Sequence, residues 1–293
     1  MGKTKIEWSE YSWNPVTGCS KISEGCRNCY AERMAKRLAG RYGYPEAPHH
    51  FDVTLHPDRL DEPSHWKKPR MIFVVSMGDL LHEEVPLQTV LSVYNVAEDA
   101  PQHTYLWLTK RPHRALEFHR RYIQGQWLPN IWIGVTAENQ KCADERIPIL
   151  LQIPAAVRFV SCEPLLGPVE FWHDWLWPYA GVRCPRIDWA IAGGEGGPNA
   201  RPMHPQWARD IRDQCIAANI PYFFKQWGEW TPLSAFQVEY LPPRGIEYTW
   251  PDAKEVYRVG KKVAGRLLDG REWNQLPNRI NNGESSVDSN SVA

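Results

Sequence analysis

Residues 103–138 read HTYLWLTKRPHRALEFHRRYIQGQWLPNIWIGVTAE. Two β-rich runs, HTYLWLTK (103–110) and NIWIGVTAE (130–138), bracket a segment of helical character, 111–122. The runs are apolar without strict alternation, as strands covered on both faces read. Strand, helix and strand in succession define a parallel pair. Outward from this unit the rhythm continues in NPVTGC (14–19), DVTLHP (52–57), MIFVVSM (71–77), VRFVSCEP (157–164), IDWAIAGGE (187–195) and PYFFKQWGE (221–229). Helical segments are expected over 28–42, after Pro86, over 142–151 and over 204–219; proline suits the first turn of a helix. The reading is an α/β fold, a parallel (β/α) barrel of eight strands, TIM-like if closed and otherwise partly open.

Two stretches break the rhythm. Residues 165–186, with FWHDWLWPYAGVRCP at 171–185, read as a Trp- and Pro-rich insertion in a barrel spanning 1–229. Residues 230–280 read as a small C-terminal appendage, in which KKVAGRLLDGREW (261–273) suggests a short strand and a turn at Asp269–Gly270. The tail, 281–293, is polar and expected to be disordered.

The chain of 293 residues carries no net formal charge, so any nucleic-acid contact must come from local patches. No apolar run suits a signal peptide or a membrane span, and the expected setting is the cytoplasm. There, clustered cysteines more often mean metal or catalysis than disulfides. Of seven cysteines, Cys142, Cys162, Cys184 and Cys215 are scattered, while Cys19, Cys26 and Cys29 share one loop in a C-x6-C-x2-C pattern. That loop falls between the expected first strand and first helix, at the catalytic face of a parallel barrel. Thiolates suit zinc or an iron–sulfur cluster. A structural zinc is closed by four ligands, and the nearest histidines, His49 and His50, lie about twenty residues beyond Cys29. Three cysteines on a cubane leave one iron open. An iron–sulfur cluster, a zinc site and ordinary cysteines are the three readings of the loop.

Nearly every expected strand ends in polar residues: His56 and Asp58, Ser76 and Asp79, Thr109 and Lys110, Thr136 and Glu138, Ser161 and Glu163, Glu195, then Lys225 and Gln226. Parallel strands bring these ends to the face that carries the cysteine loop. Converging charges are costly to bury without a polar ligand, a salt bridge or a helix cap to satisfy them. Basic residues with nearby aromatics, at 65–70 and at 110–121, can hold phosphates and stack bases, or form a solvated helix face.

The segments NPVTGCSKISEGCRNCYAERMA, SMGDLLHEEVP, LTKRP, GVTAEN, SCEPLLGP, GGEGG and FFKQWGEW resemble, over nearly the whole chain, a phage-associated family with a three-cysteine motif. They are also distantly similar to spore photoproduct lyase and its radical S-adenosylmethionine (SAM) kin. The resemblance implies a partly open radical SAM barrel in a bacterial host cell. It also implies a 4Fe-4S cluster on Cys19, Cys26 and Cys29, SAM on the open iron, and an electron donor as partner. On the same resemblance Lys110 suits the carboxylate of SAM, and Ser76 and Asp79 suit its amino group or ribose. Glu195 suits SAM or substrate, Glu138 and Glu163 complete the cofactor candidates, and Cys162 and Glu195 are the catalytic candidates. Cys162 also reads as a plain buried thiol. The usual family spacing is C-x3-C-x2-C, and a Gly-Gly-Glu turn usually follows the second strand, where this chain has Leu55-His56-Pro57-Asp58. The function implied is reductive cleavage of SAM to start radical chemistry, on nucleic acid among the candidate substrates. The competing readings are a non-catalytic, metal-stabilised nucleic-acid- or protein-binding protein and a zinc hydrolase.

Overall fold

The first parallel strand is only three residues long. In the computed structural model, which describes residues 4, 6–177, 185–235 and 246–278, β1 is Tyr11–Trp13. The NPVTGC and DVTLHP runs contribute β2 (Val16–Thr17) and β3 (Thr54–Leu55), which pair antiparallel with each other outside the main sheet. Then come β4 (Met71–Val74), β5 (Thr104–Thr109), β6 (Ile131–Thr136), β7 (Val157–Cys162), β8 (Trp189–Gly193) and β9 (Tyr222–Gln226). Strands β1 and β4 to β9 form one parallel sheet of seven in the order β1-β4-β5-β6-β7-β8-β9. The sheet curls into a half-barrel that does not close on itself, so the eight-strand closure is corrected to the partly open form. Proline at position 15 offers no N–H to a ladder. The Asn14 side chain turns the chain aside there by accepting from the Met77 amide at 2.9 Å.

The helices follow the expected spacing: α1 (Tyr30–Leu38), α2 (Leu87–Asp99), α3 (Pro112–Phe118), α4 (Gln140–Leu150), a short α5 (His173–Leu176) and α6 (Pro205–Ala217). Beyond β9 lie β10 (Trp230–Pro232), β11 (Ile246–Thr249) and β12 (Glu255–Arg258), an antiparallel sheet in the order β10-β12-β11. The expected strand in KKVAG is instead one helical turn, α7 (Lys261–Ala264). The turn at Asp269–Gly270 forms with positive φ at both residues. The tail, Cys184 and part of the 165–186 stretch lie outside the described residues.

The central strands of the parallel sheet, β5 to β8, are buried on both faces, and parity divides their residues. Tyr105 and Trp107 of β5, Val160 and Cys162 of β7, and Ala190 and Ala192 of β8 join the helix residues Val93, Ala115, Ile147 and Ile211 in one apolar cluster. Leu106 of β5, Trp132, Phe159, Trp189 and Phe223 face inward. Trp8 closes the amino-terminal end of this interior, its ring 4.8 Å from Phe73 and 6.3 Å from Trp189. Burying each such side chain contributes on the order of 2 kcal/mol. The free edge of β9 is covered by residues 273–275, with the Phe224 amide on the Trp273 carbonyl at 2.9 Å and the Gln275 amide on that of Tyr222 at 3.2 Å. An apolar plug below leaves the carboxyl ends of the strands as the polar mouth.

Candidate functional site

The cysteine loop begins where two chains touch backbone to backbone. Gly18 has φ +88°, its amide bonds the Met77 carbonyl at 2.9 Å, and it bridges Gly78 in parallel. A Cβ on Gly18 would lie 2.1 Å from the Asp52 carbonyl oxygen, and one on Gly78 would lie 2.5 Å from that of Gly18. No side chain fits at either position. This contact sets the loop against the turn after β4, the second strand of the parallel sheet. That turn reads Val75-Ser76-Met77-Gly78-Asp79. The turn after the second parallel strand is therefore at 75–79, not at 55–58.

Cys19 follows Gly18, Cys26 closes a 3-10 turn at Glu24–Cys26, and Cys29 precedes α1. All three are half-buried and none is in a disulfide. Cys19 accepts from Arg111 at 3.5 Å; burial, then the Asp79 carboxylate, push its thiol up to about 12. Burial also acts to raise Cys26. The Lys110 ammonium and hydrogen bonds from Ile22 and Ser23 outweigh it, and the thiol falls below its ordinary value.

Carboxylates from the strand ends surround the loop. Asp79 accepts from the Thr109 hydroxyl at 2.8 Å, from the amides of Leu81 and Lys110 at 3.0 and 3.2 Å, and from Arg111 at 3.2 Å. Arg111, 1% exposed, also donates to Glu83 at 2.6 Å and to the Ser20 hydroxyl at 2.9 Å. Glu138 is fully buried and accepts from Ser23 at 2.6 Å and Arg146 at 2.8 Å; the Lys110 ammonium is 3.3 Å away. Burial opposes its ionisation, but Lys110 and Arg146 prevail and hold it at about 2. Gly25 lies against it, and a Cβ there would be 2.4 Å from its Oε1. Glu195 accepts from Asn28 at 3.0 Å and from the Arg201 side chain at 2.6 and 2.9 Å. Arg201 and Asn28 keep its carboxyl below the usual range against the cost of burial.

The remaining candidates have partners outside the loop. Glu163 accepts from Lys225 at 2.6 Å, and the Ser76 hydroxyl donates to Asn14 at 3.3 Å. Cys162 is sealed in the helix-side core with Cys215, and burial raises its thiol well above the ordinary value. Its parity is opposite to that of Glu163, which favours the buried-thiol reading of Cys162. Of the basic patch at 110–121, Lys110 and Arg111 turn into the mouth and Arg114 pairs with Glu117 at 2.8 Å, while His113, Arg120 and Arg121 are exposed. Arg70 of the other patch stacks 4.0 Å over the Tyr11 ring and 4.5 Å over the Trp66 ring. The sequence reading missed Ser23, Asn28, Arg146 and Arg201. Only the polar spacing within the loop hinted at the first two.

Among the described residues no three Cys, His, Asp or Glu side chains are drawn together closely enough to hold one metal ion. A single tetrahedral zinc needs thiolates about 3.8 Å apart. A cubane takes each cysteine on a different iron and accepts wider spacing. Three disulfide-free, half-buried thiols on one loop, with Arg111 on Cys19 and Lys110 near Cys26, suit a thiolate-held cluster in donor type.

These features define a class, a parallel half-barrel with a cysteine loop at its carboxyl mouth. Over residues 3–277 the chain matches the family described as protein of unknown function, DUF5131, and it belongs to that family. No curated protein matches it. Among solved structures it is similar to a cysteine-to-serine mutant of spore photoproduct lyase, at TM-score 0.43 and 8% identity over 87% of this chain and 69% of that one. It is similar also to spore photoproduct lyase complexed with dinucleoside spore photoproduct, at TM-score 0.44 and 8% identity over 89% and 73%. No helix among the described residues is long and apolar enough to cross a membrane.

Proposed function

We propose that the chain is an iron–sulfur enzyme of the radical SAM type, with Cys19, Cys26 and Cys29 as cluster ligands. The observation that carries this is the placing of three disulfide-free thiols on a loop pinned over the mouth of a parallel half-barrel, with Lys110 beside Cys26. When bound, a reduced cluster supplies one electron for cleavage of SAM. The chain's own part is to hold and shield. Lys110 has its side chain 19% exposed, and it can take a carboxylate offered at the mouth while Arg146 continues to balance Glu138. The apolar interior below excludes water from a reactive species above it. The exposed Arg27 and Tyr30 beside Cys26 and Cys29 favour a polyanionic substrate such as nucleic acid.

The test is to reconstitute the full chain anaerobically, reduce it with dithionite, and add SAM. Formation of 5′-deoxyadenosine and methionine is expected. A chain that binds iron and leaves SAM intact would instead be the non-catalytic, metal-stabilised binding protein.

A further inference from the structure

The polar strand ends divide into two groups. Asp79, Glu138 and Glu195 all reach the cysteine loop, the first through Arg111 to Ser20, the second at Ser23 and the third at Asn28. Each anchored residue adjoins a different cysteine: Ser20 follows Cys19, Ser23 shares the turn of Cys26, and Asn28 precedes Cys29. Glu163 has no contact with the loop and pairs with Lys225.

A carboxylate offers about four acceptor positions. Asp79 spends them on Thr109, Leu81, Lys110 and Arg111. Glu195 spends them on Asn28 and on the amide, Nε and Nη2 of Arg201. Glu138 is closed in by Ser23, Lys110 and Arg146 and has no exposed surface. A saturated carboxylate, balanced by its own cation, has little left to give a cofactor. It can, however, fix the group that donates to it.

We propose that Asp79, Glu138 and Glu195 are positioning residues, not cofactor ligands: they clamp the loop at three points and order the thiols before anything binds to them. The proposal deepens the reading above only in taking the three thiols as its ligands. The clamp itself belongs to the metal-free chain.

The experiment is amide hydrogen exchange on the full-length, metal-free, reduced chain, followed over residues 18–30. Ser23→Ala removes the bond to Glu138 and the 3.6 Å contact with Cys26 Sγ, Asn28→Ala removes the bonds to Glu195 and to the Asn199 carbonyl at 2.8 Å, and both leave the internal pairs Glu138–Arg146 and Glu195–Arg201 in place, so the fold should survive. Exchange in the loop should rise about tenfold or more in each, with α2 to α4 unchanged. Glu163→Ala should leave the loop as in the parent chain. Loop exchange that is equally fast in the parent and both variants overturns the clamp, as does a rise spread evenly over the helices. A second arm uses iron-loaded chain and SAM: a tenfold loss of SAM affinity in Glu195→Gln with loop exchange unchanged would make Glu195 a cofactor ligand and overturn the proposal. A chain that takes up no iron yet shows the loop-specific rise defeats the radical SAM reading and leaves the clamp standing.

Discussion

Cys29→Ala will fold and will lose its iron. From about four iron atoms per chain, the content of the reconstituted protein should fall below one, and its brown colour should go. Cys29 precedes α1 and is neither in a disulfide nor part of the apolar core that orders the sheet, so its thiol can be removed without opening a cavity there. With one of three ligands missing, a second iron is exposed and the cluster is hydrolysed. Cys19→Ala and Cys26→Ala should do the same. Cys142 bonds to Glu138 and Cys215 is sealed in the helix-side core; neither belongs to the loop, and their alanine variants should keep full iron. The same is expected of Cys184, which lies outside the described residues. Iron and acid-labile sulfide analysis on matched preparations checks the set. Full loading of Cys29→Ala would remove the three-ligand account.

Lys110→Ala should keep both cluster and fold but weaken SAM binding by ten- to hundredfold or more, about 1.5–3 kcal/mol for a lost charge-assisted hydrogen bond. The structure gives Lys110 a partner already, Glu138 at 3.3 Å. That pair alone would satisfy a purely structural role. Two facts set it apart from an ordinary salt bridge. Glu138 keeps Arg146 at 2.8 Å when Lys110 is removed, so no buried carboxylate is stranded. The ammonium also lies close enough to Cys26 to lower its thiol, which puts it beside the open mouth. Calorimetry with SAM on the loaded variant decides between the roles. Unchanged affinity would leave Lys110 as the counter-ion of Glu138.

Much of this is legible in the sequence. The runs from 71 onward read as strands because each is apolar on both faces and bounded by turn residues, and their parity carries Lys110, Glu163 and Lys225 to the mouth. The start of the chain was not legible. Tyr11–Trp13 is too short to show a period, whereas NPVTGC has the composition of a strand but carries Pro15 and a glycine with positive φ. That error moved the second strand to 52–57 and hid the place of Ser76 to Asp79 behind it. The cationic partners were out of reach for another reason. Arg146 meets Glu138 from a helix, and Arg201 meets Glu195 across the Gly196–Ala200 turn. Sequence pattern alone does not say which of many arginines closes such a pair. Cys162 faces the helix-side core while its neighbours Ser161 and Glu163 face the other way, which suits the buried-thiol reading.

The most direct measurement is iron, sulfide and low-temperature electron paramagnetic resonance on the full chain, reconstituted anaerobically and reduced with dithionite, with and without SAM. The account predicts about four irons and four sulfides per chain, and a reduced-cluster signal whose g-values shift when SAM is added. A colourless protein that holds zinc and no sulfide, or a cluster signal indifferent to SAM, would contradict it.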